Sequence, residues 1–200
     1  PIIIGGCGRS GTTLFLSILS SHTKIHGIKD ETYAFFPYPL RLNKIIYNLK
    51  FKQDKLCWLE KTPKNIQVFK KIFKLFKGKV KLINIVRNAK SVIHSKHPNS
   101  NKKYYVDLSR WKSDVKMGLK SKKISYTIIF ENLIKNPKIE LERLCKFLNL
   151  KFERRLLNYA KFTSVKQNIA WGNNNVKSID RLANRNYNIF EKIPINFKLS

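Results

Sequence analysis

The stretch 2–15, "IIIGGCGRSGTTLF", constrains the chain more than any other. Ile2, Ile3 and Ile4 form a short all-apolar run, the pattern of a parallel strand buried on both faces. Leu14, Phe15, Ile18 and Leu19 then fall on one helical face. Between the two lies a loop with Gly5, Gly6, Gly8 and Gly11, and hydroxyls at Ser10, Thr12 and Thr13. A glycine loop that leads a buried strand into a helix turns backbone N–H groups toward one point, where the helix dipole also favours negative charge. An anion is therefore expected against the N–H groups of residues 8–12.

The loop comes close to the nucleotide-triphosphate pattern G-x-x-x-x-G-K-[ST]. Gly6 and Gly11 keep the spacing, but Thr12 stands where the lysine would reach the β- and γ-phosphates. The apolar segment "LINIV" ends on Arg87, where a magnesium-binding carboxylate would be wanted. Cations in place of that carboxylate point to a donor whose transfer needs no metal and whose nucleotide carries an additional phosphate. No His or Cys cluster has metal-ligand spacing, and no metal is expected. The charge balance has the same sign: 41 Lys and Arg against 12 Asp and Glu, a formal +29, which calls for an anionic partner. Part of that excess is a bias of the whole chain toward Lys, Asn and Ile. Cys7, Cys57 and Cys145 do not form a disulfide framework.

Further along, strand-like and helix-like segments alternate. Residues 57–59, 80–86 and 126–130 are strand candidates, and a short strand is expected between the first helix and the stretch 26–36. Helices are expected from Pro63, with Ile66, Phe69, Ile72, Phe73 and Phe76 inward, and over 89–96. Another carries Leu108, Trp111, Val115 and Leu119, and a last one starts at Asn136-Pro137 with Leu141, Leu144, Cys145 and Leu148 inside. This alternation predicts one α/β domain over 1–200, a parallel sheet flanked by helices, with a core over 1–160 and an irregular segment over 161–200. Ligands of such sheets lie beyond the carboxyl ends of the strands. The places to look are residues 5–13, 60–62, 87–88 and 131–132.

Those places carry a resemblance. "GCGRSGTTLF" resembles the 5′-phosphosulfate loop of sulfotransferases that use 3′-phosphoadenosine 5′-phosphosulfate (PAPS). "LINIVRNAKSVIHS" resembles their 3′-phosphate segment, a strand ending in Arg with a Ser eight residues on, here Arg87 and Ser95. "WLEKTPKN" resembles the family's middle element, and "FENLIKNPKIELERLCKFLNL" its last strand, turn and helix. The resemblance spans roughly residues 2–150 and is closer to the tyrosylprotein and carbohydrate enzymes than to the cytosolic small-molecule ones, which usually carry Lys where this chain has Arg9. It implies a P-loop nucleotide-hydrolase-like fold and PAPS as donor, with adenosine 3′,5′-bisphosphate as product.

The resemblance also implies roles. Gly8, Ser10, Gly11, Thr12 and Thr13 hold the 5′-phosphosulfate, Arg9 stabilises charge on the leaving oxygen, and Arg87 and Ser95 clamp the 3′-phosphate. An attacking hydroxyl needs a general base. Glu31, in "KDETY", matches the acidic position of the tyrosylprotein type, with Asp30 and Glu60 as alternatives and His22 and His26 as rivals. Lys61 supplies a second positive charge near the sulfonate. Residues 171–173 are expected in a loop closing over the nucleotide, with Lys166, Lys177 and Arg181 as basic residues over the 3′-phosphate. The acceptor is expected to be a hydroxyl, on family resemblance that of a carbohydrate, seated among residues 32–56 and 97–107. Two other readings stay open: a metal-dependent small-molecule kinase and a basic nucleic-acid-binding domain, although no specific nucleic-acid motif is present. No signal peptide and no apolar run of about 20 residues is visible, so no transmembrane segment is expected. A cytoplasmic location is the expectation, with an upstream anchor and a Golgi-type lumenal location left open.

Overall fold

In a computed structural model of the chain, residues 1–37, 39–48, 55–95 and 105–165 are described. Five strands pair in parallel in the order β2-β3-β1-β4-β5. They are β1 (Ile2–Gly6), β2 (Ile25–Gly27), β3 (Cys57–Lys61), β4 (Lys81–Val86) and β5 (Ser125–Ile129). β1 is central and buried along its whole length. Its residues alternate between two cores, as the two-residue period of a strand requires. Ile2 and Ile4 face one core with Phe15, Leu16, Leu141 and Leu144; Ile3 faces the other with Ile66, Phe69 and Ile72. Helices α1 (Thr12–Leu19) and α7 (Pro137–Leu148) thus lie on one side of the sheet, and the helical segment after β3 lies on the other.

The register brings the strand ends level. Ile4 pairs with Lys61 of β3, and Gly6 pairs with Ile85 of β4. The loop after β1, the Lys61–Thr62 step and Arg87 therefore emerge side by side at the carboxyl edge. The chain leaves β1 for strands on one side and then crosses to β4 on the other. That makes the end of β1 the switch point where such sheets hold ligands.

Several elements differ from the expectation. The helix from Pro63 starts as a 3-10 helix, Pro63–Val68, before α3 (Phe69–Leu75); α2 (Asn43–Asn48) precedes them. Asn65 explains the tight start, because its amide donates back to Ile4 O (3.2 Å) and to Glu60 Oε2 (2.7 Å). Phe73 and Phe76 are only half-buried. The fourth helix, α4 (Ala89–Ile93), stops short of 96. Helix α5 (Leu108–Lys120) is rotated from the expected face: Asp114 and Gly118 are buried while Leu108 and Leu119 are exposed. Hydropathy cannot find this face. One of its buried positions is a carboxylate and the other has no side chain, and a Cβ on Gly118 would lie 2.4 Å from the Asn84 amide. Phe130 ends the strand run but opens α6 (Phe130–Lys135). The last described helix is α8 (Tyr159–Phe162). The roles expected of Lys166, Lys177, Arg181 and residues 171–173 fall outside the described residues.

Gly11 caps α1 in the left-handed region (φ 92°), and a Cβ there would lie 2.6 Å from the Phe130 ring. Backbone strain and overlap act together at this residue. Gly11→Ala should lower stability by about 2 kcal/mol, read as a reduced urea midpoint with an unchanged slope.

Candidate active site

The loop is shaped for an anion. Arg9 (φ 71°) and Gly11 (φ 92°) both take the left-handed conformation, a feature of backbone nests that bind anions. Ser10 N–H donates to Cys7 O (3.1 Å) and closes the turn. The Ser10 hydroxyl is buried and has no hydrogen-bond partner. A buried hydroxyl left unmatched is costly, so an oxygen-bearing ligand at this loop is a good fit for it.

Two clusters flank the loop. In the first, Arg9 forks onto Ser95 Oγ through Nε (2.9 Å) and Nη2 (2.7 Å), bridging 86 residues of sequence. Arg87 Nη1 donates to Arg9 O (3.2 Å), its guanidinium lies 4.4 Å from the centre of the Phe130 ring, and its own carbonyl accepts from Trp111 Nε1 (2.9 Å). Burial, and then the charge of Arg87, pull the Arg9 pKa down to about 10. Arg87 is lowered by burial, with Glu131 opposing. Both guanidiniums stay charged at neutral pH, and a multiply charged anion between them would relieve their repulsion.

In the second cluster Lys61, only 1% exposed, donates to Thr13 Oγ1 (3.1 Å) and to Glu31 Oε1 (2.5 Å). The other oxygen of Glu31 accepts from Tyr33 OH (2.8 Å). Thr13, on the first turn of α1, thus ties Lys61 and Glu31 to the loop. Among the described residues no group of three or more His, Cys, Asp or Glu side chains is placed to hold a metal ion.

The sequence-derived candidates therefore divide. Arg9, Arg87 and Ser95 come together, and so do Thr13, Lys61 and Glu31. Arg9 itself reaches toward Ser95 and not toward Lys61. Glu60 is fully buried, its oxygens taken by Thr32 Oγ1 (2.8 Å), Thr62 Oγ1 (2.6 Å) and Asn65 Nδ2 (2.7 Å). His22 spends both ring nitrogens on backbone, Nε2 on Lys151 O (3.0 Å) and Nδ1 on Lys24 N–H (3.0 Å), at the far end of α1. Asp30 is exposed. Sequence reading passed over Tyr33, Phe130 and Trp111. Only Tyr33 carried a local signal, its place beside the acidic pair.

Comparison with known proteins identifies the family and the fold. A family model described as "Sulfotransferase family" matches residues 1–55 and 41–154. The chain belongs to the sulfotransferase family. Among solved structures it is similar to the sulfotransferase domain from the curacin biosynthetic pathway, with TM-score 0.74 at 17% identity over 100% of this chain and 93% of that one. It is also similar to the sulfotransferase domain of the Synechococcus PCC 7002 olefin synthase (TM-score 0.69, 18% identity, 100% and 90% covered). A mouse sulfotransferase, SULT7A1, complexed with PAP, matches with TM-score 0.56 at 14% identity over 94% and 82%. A search of curated proteins finds no match. The shared fold is an α/β domain with a parallel sheet between helices. No helix among the described residues is long and apolar enough to cross a membrane.

In this sulfotransferase Glu60 is a structural carboxylate. Burial pushes its pKa above the ordinary carboxylate range, against the hydrogen bonds from Thr62, Asn65 and Thr32. The folded protein then holds this proton more tightly than the unfolded chain. Its contribution to stability is full at low pH and declines as pH rises through the raised pKa. Glu60→Gln should remove that decline from a series of denaturation curves across pH. Glu60→Ala should cost about 3 kcal/mol by stranding three buried donors.

Proposed function

We propose that this sulfotransferase moves the sulfonate of PAPS to a hydroxyl, that of a carbohydrate being the acceptor favoured by family resemblance. The observation that carries the reading is the pairing of two sites across one glycine loop. A guanidinium pair with Ser95 lies on one side, and a lysine–carboxylate pair tied to Thr13 lies on the other. The first suits the 3′-phosphate and the leaving side of the donor. The second suits the acceptor.

In this reading the N–H groups of residues 8, 9, 11 and 12 and the Ser10 and Thr13 hydroxyls hold the 5′-phosphosulfate, while the Ser10 N–H closes the turn on Cys7 O. Arg87 and Ser95 hold the 3′-phosphate, and Arg9, whose backbone belongs to the loop, stabilises charge on the departing phosphate oxygen. Glu31 takes the proton of the attacking hydroxyl. Asp30 is exposed and Glu60 is closed off, which supports Glu31 among the acidic candidates. Lys61 orients Glu31 through its bond to Oε1 and places a positive charge next to the transferring group. Catalysis is then mainly positioning and electrostatics, with no covalent intermediate on the protein.

Adenosine 3′,5′-bisphosphate without magnesium should stabilise the protein against heat, by about 2.7 kcal/mol at a hundredfold excess over Kd. ATP with magnesium should not match it, and the reverse preference would make the protein a kinase. Arg87→Ala should weaken bisphosphate binding by about ten- to a hundredfold, the worth of a charge-assisted contact, in a calorimetric titration. Arg9→Ala should abolish turnover while retaining measurable bisphosphate affinity.

A further inference from the structure

Each carboxylate oxygen of Glu31 has one side-chain partner. Lys61 holds Oε1, and the Tyr33 phenol donates to Oε2 at 2.8 Å. A general base must hold the hydroxyl it deprotonates at about 2.6–3.2 Å. The phenol therefore stands at the distance and on the oxygen that an acceptor hydroxyl requires.

This placement is maintained against strain. Tyr33 has φ 50°, a left-handed conformation that is an outlier for a bulky residue. Its N–H donates to Thr62 Oγ1 (3.2 Å), and Thr62 donates in turn to the buried Glu60. Thr32, the preceding residue, also donates to Glu60 (2.8 Å). Glu60 thus anchors the turn that folds Tyr33 back onto Glu31, two residues earlier. Tyr33 is 40% exposed, so little apolar burial holds its side chain there. An exposed side chain held by one hydrogen bond to a carboxylate can be displaced by a ligand that makes the same bond. The phenol is also kept protonated, since burial and the Glu31 carboxylate both raise its pKa, so it remains a donor.

We infer that Tyr33 is a gate on the acceptor side: its hydroxyl takes the acceptor's place on Glu31 until an acceptor displaces it, and so keeps water from being activated there. This rests on the proposed sulfonate transfer. The reaction it suppresses is hydrolysis of the donor. In that reaction the oxygen of water bonds to sulfur, the bond from sulfur to the 5′-phosphate oxygen breaks with its electron pair going to the phosphate, and a proton of water passes to Glu31 and then to solvent. The products are sulfate and adenosine 3′,5′-bisphosphate. Tyr33 acts through Glu31 and is a positioning residue, not a catalytic one.

The test needs no knowledge of the acceptor. PAPS labelled at sulfur is incubated with the protein, with Tyr33→Phe, with Tyr33→Ala and with Tyr33→Phe/Glu31→Gln, and free sulfate and intact protein mass are followed. Bisphosphate binding by each variant is measured in parallel as a check on folding. Tyr33→Phe keeps the ring and the backbone and should raise sulfate release by about tenfold, the worth of one hydrogen bond to a charged group. Tyr33→Ala should raise it at least as far, and the added Glu31→Gln should cancel the gain. Unchanged or reduced release in variants that still bind bisphosphate would overturn the gate and leave the sulfotransferase reading standing. Sulfonate appearing on Tyr33 would overturn it too, by making the phenol an acceptor. Failure of the unaltered protein to bind bisphosphate would overturn both.

Discussion

Parallel pairing of β1 with β3 and β4 is the constraint on which the site depends. Backbone hydrogen bonds set Ile4 beside Lys61 and Gly6 beside Ile85, and the burial of β1 on both faces prevents slippage. A slip of one residue would exchange Ile3 with Ile2 and Ile4 between the two cores. It would also carry Lys61 away from Thr13 and Arg87 away from the loop. The candidate site residues sit just beyond the sheet, so their geometry inherits the register of its most buried strand.

The site gathers positive charge that the fold alone does not need. Lys61 is fully buried and satisfied by Glu31 and Thr13. Arg9 and Arg87 lie close enough for one to depress the pKa of the other. Such an arrangement is destabilising without a counter-charge and strengthens binding of an anion that supplies one. The neutral supports are of a different kind. Phe130 lies under Arg87 and against Gly11, and Trp111 ties down the Arg87 carbonyl. Aromatic groups here fix the direction of a cation instead of only filling a core.

Much of this was legible in the sequence because the signals were local. The apolar run 2–4 announces a buried strand, and the glycine spacing and the strand ending on Arg87 mark the strand ends where an anion is proposed. The inward faces of α1 and α7 follow the helical period. The face of α5 was not legible, because Asp114 and Gly118 are buried for their contacts and not for their hydropathy. The short reach of α4 and the 3-10 turn at Pro63 were also missed, the latter because Asn65 bonds to a strand far away in sequence.

Sequence pattern alone carried the α/β class, the family, the glycine loop proposed here to hold an anion and the residues proposed to lie near it. Tertiary structure decided how those residues are grouped. Arg9 meets Ser95 across 86 positions, Glu31 and not Glu60 opens toward the loop, and Tyr33 closes on Glu31. The physical reason is range. Periodicity and turn chemistry act over a few residues, whereas ion pairs and buried hydrogen bonds at a sheet edge join segments that only strand register brings together.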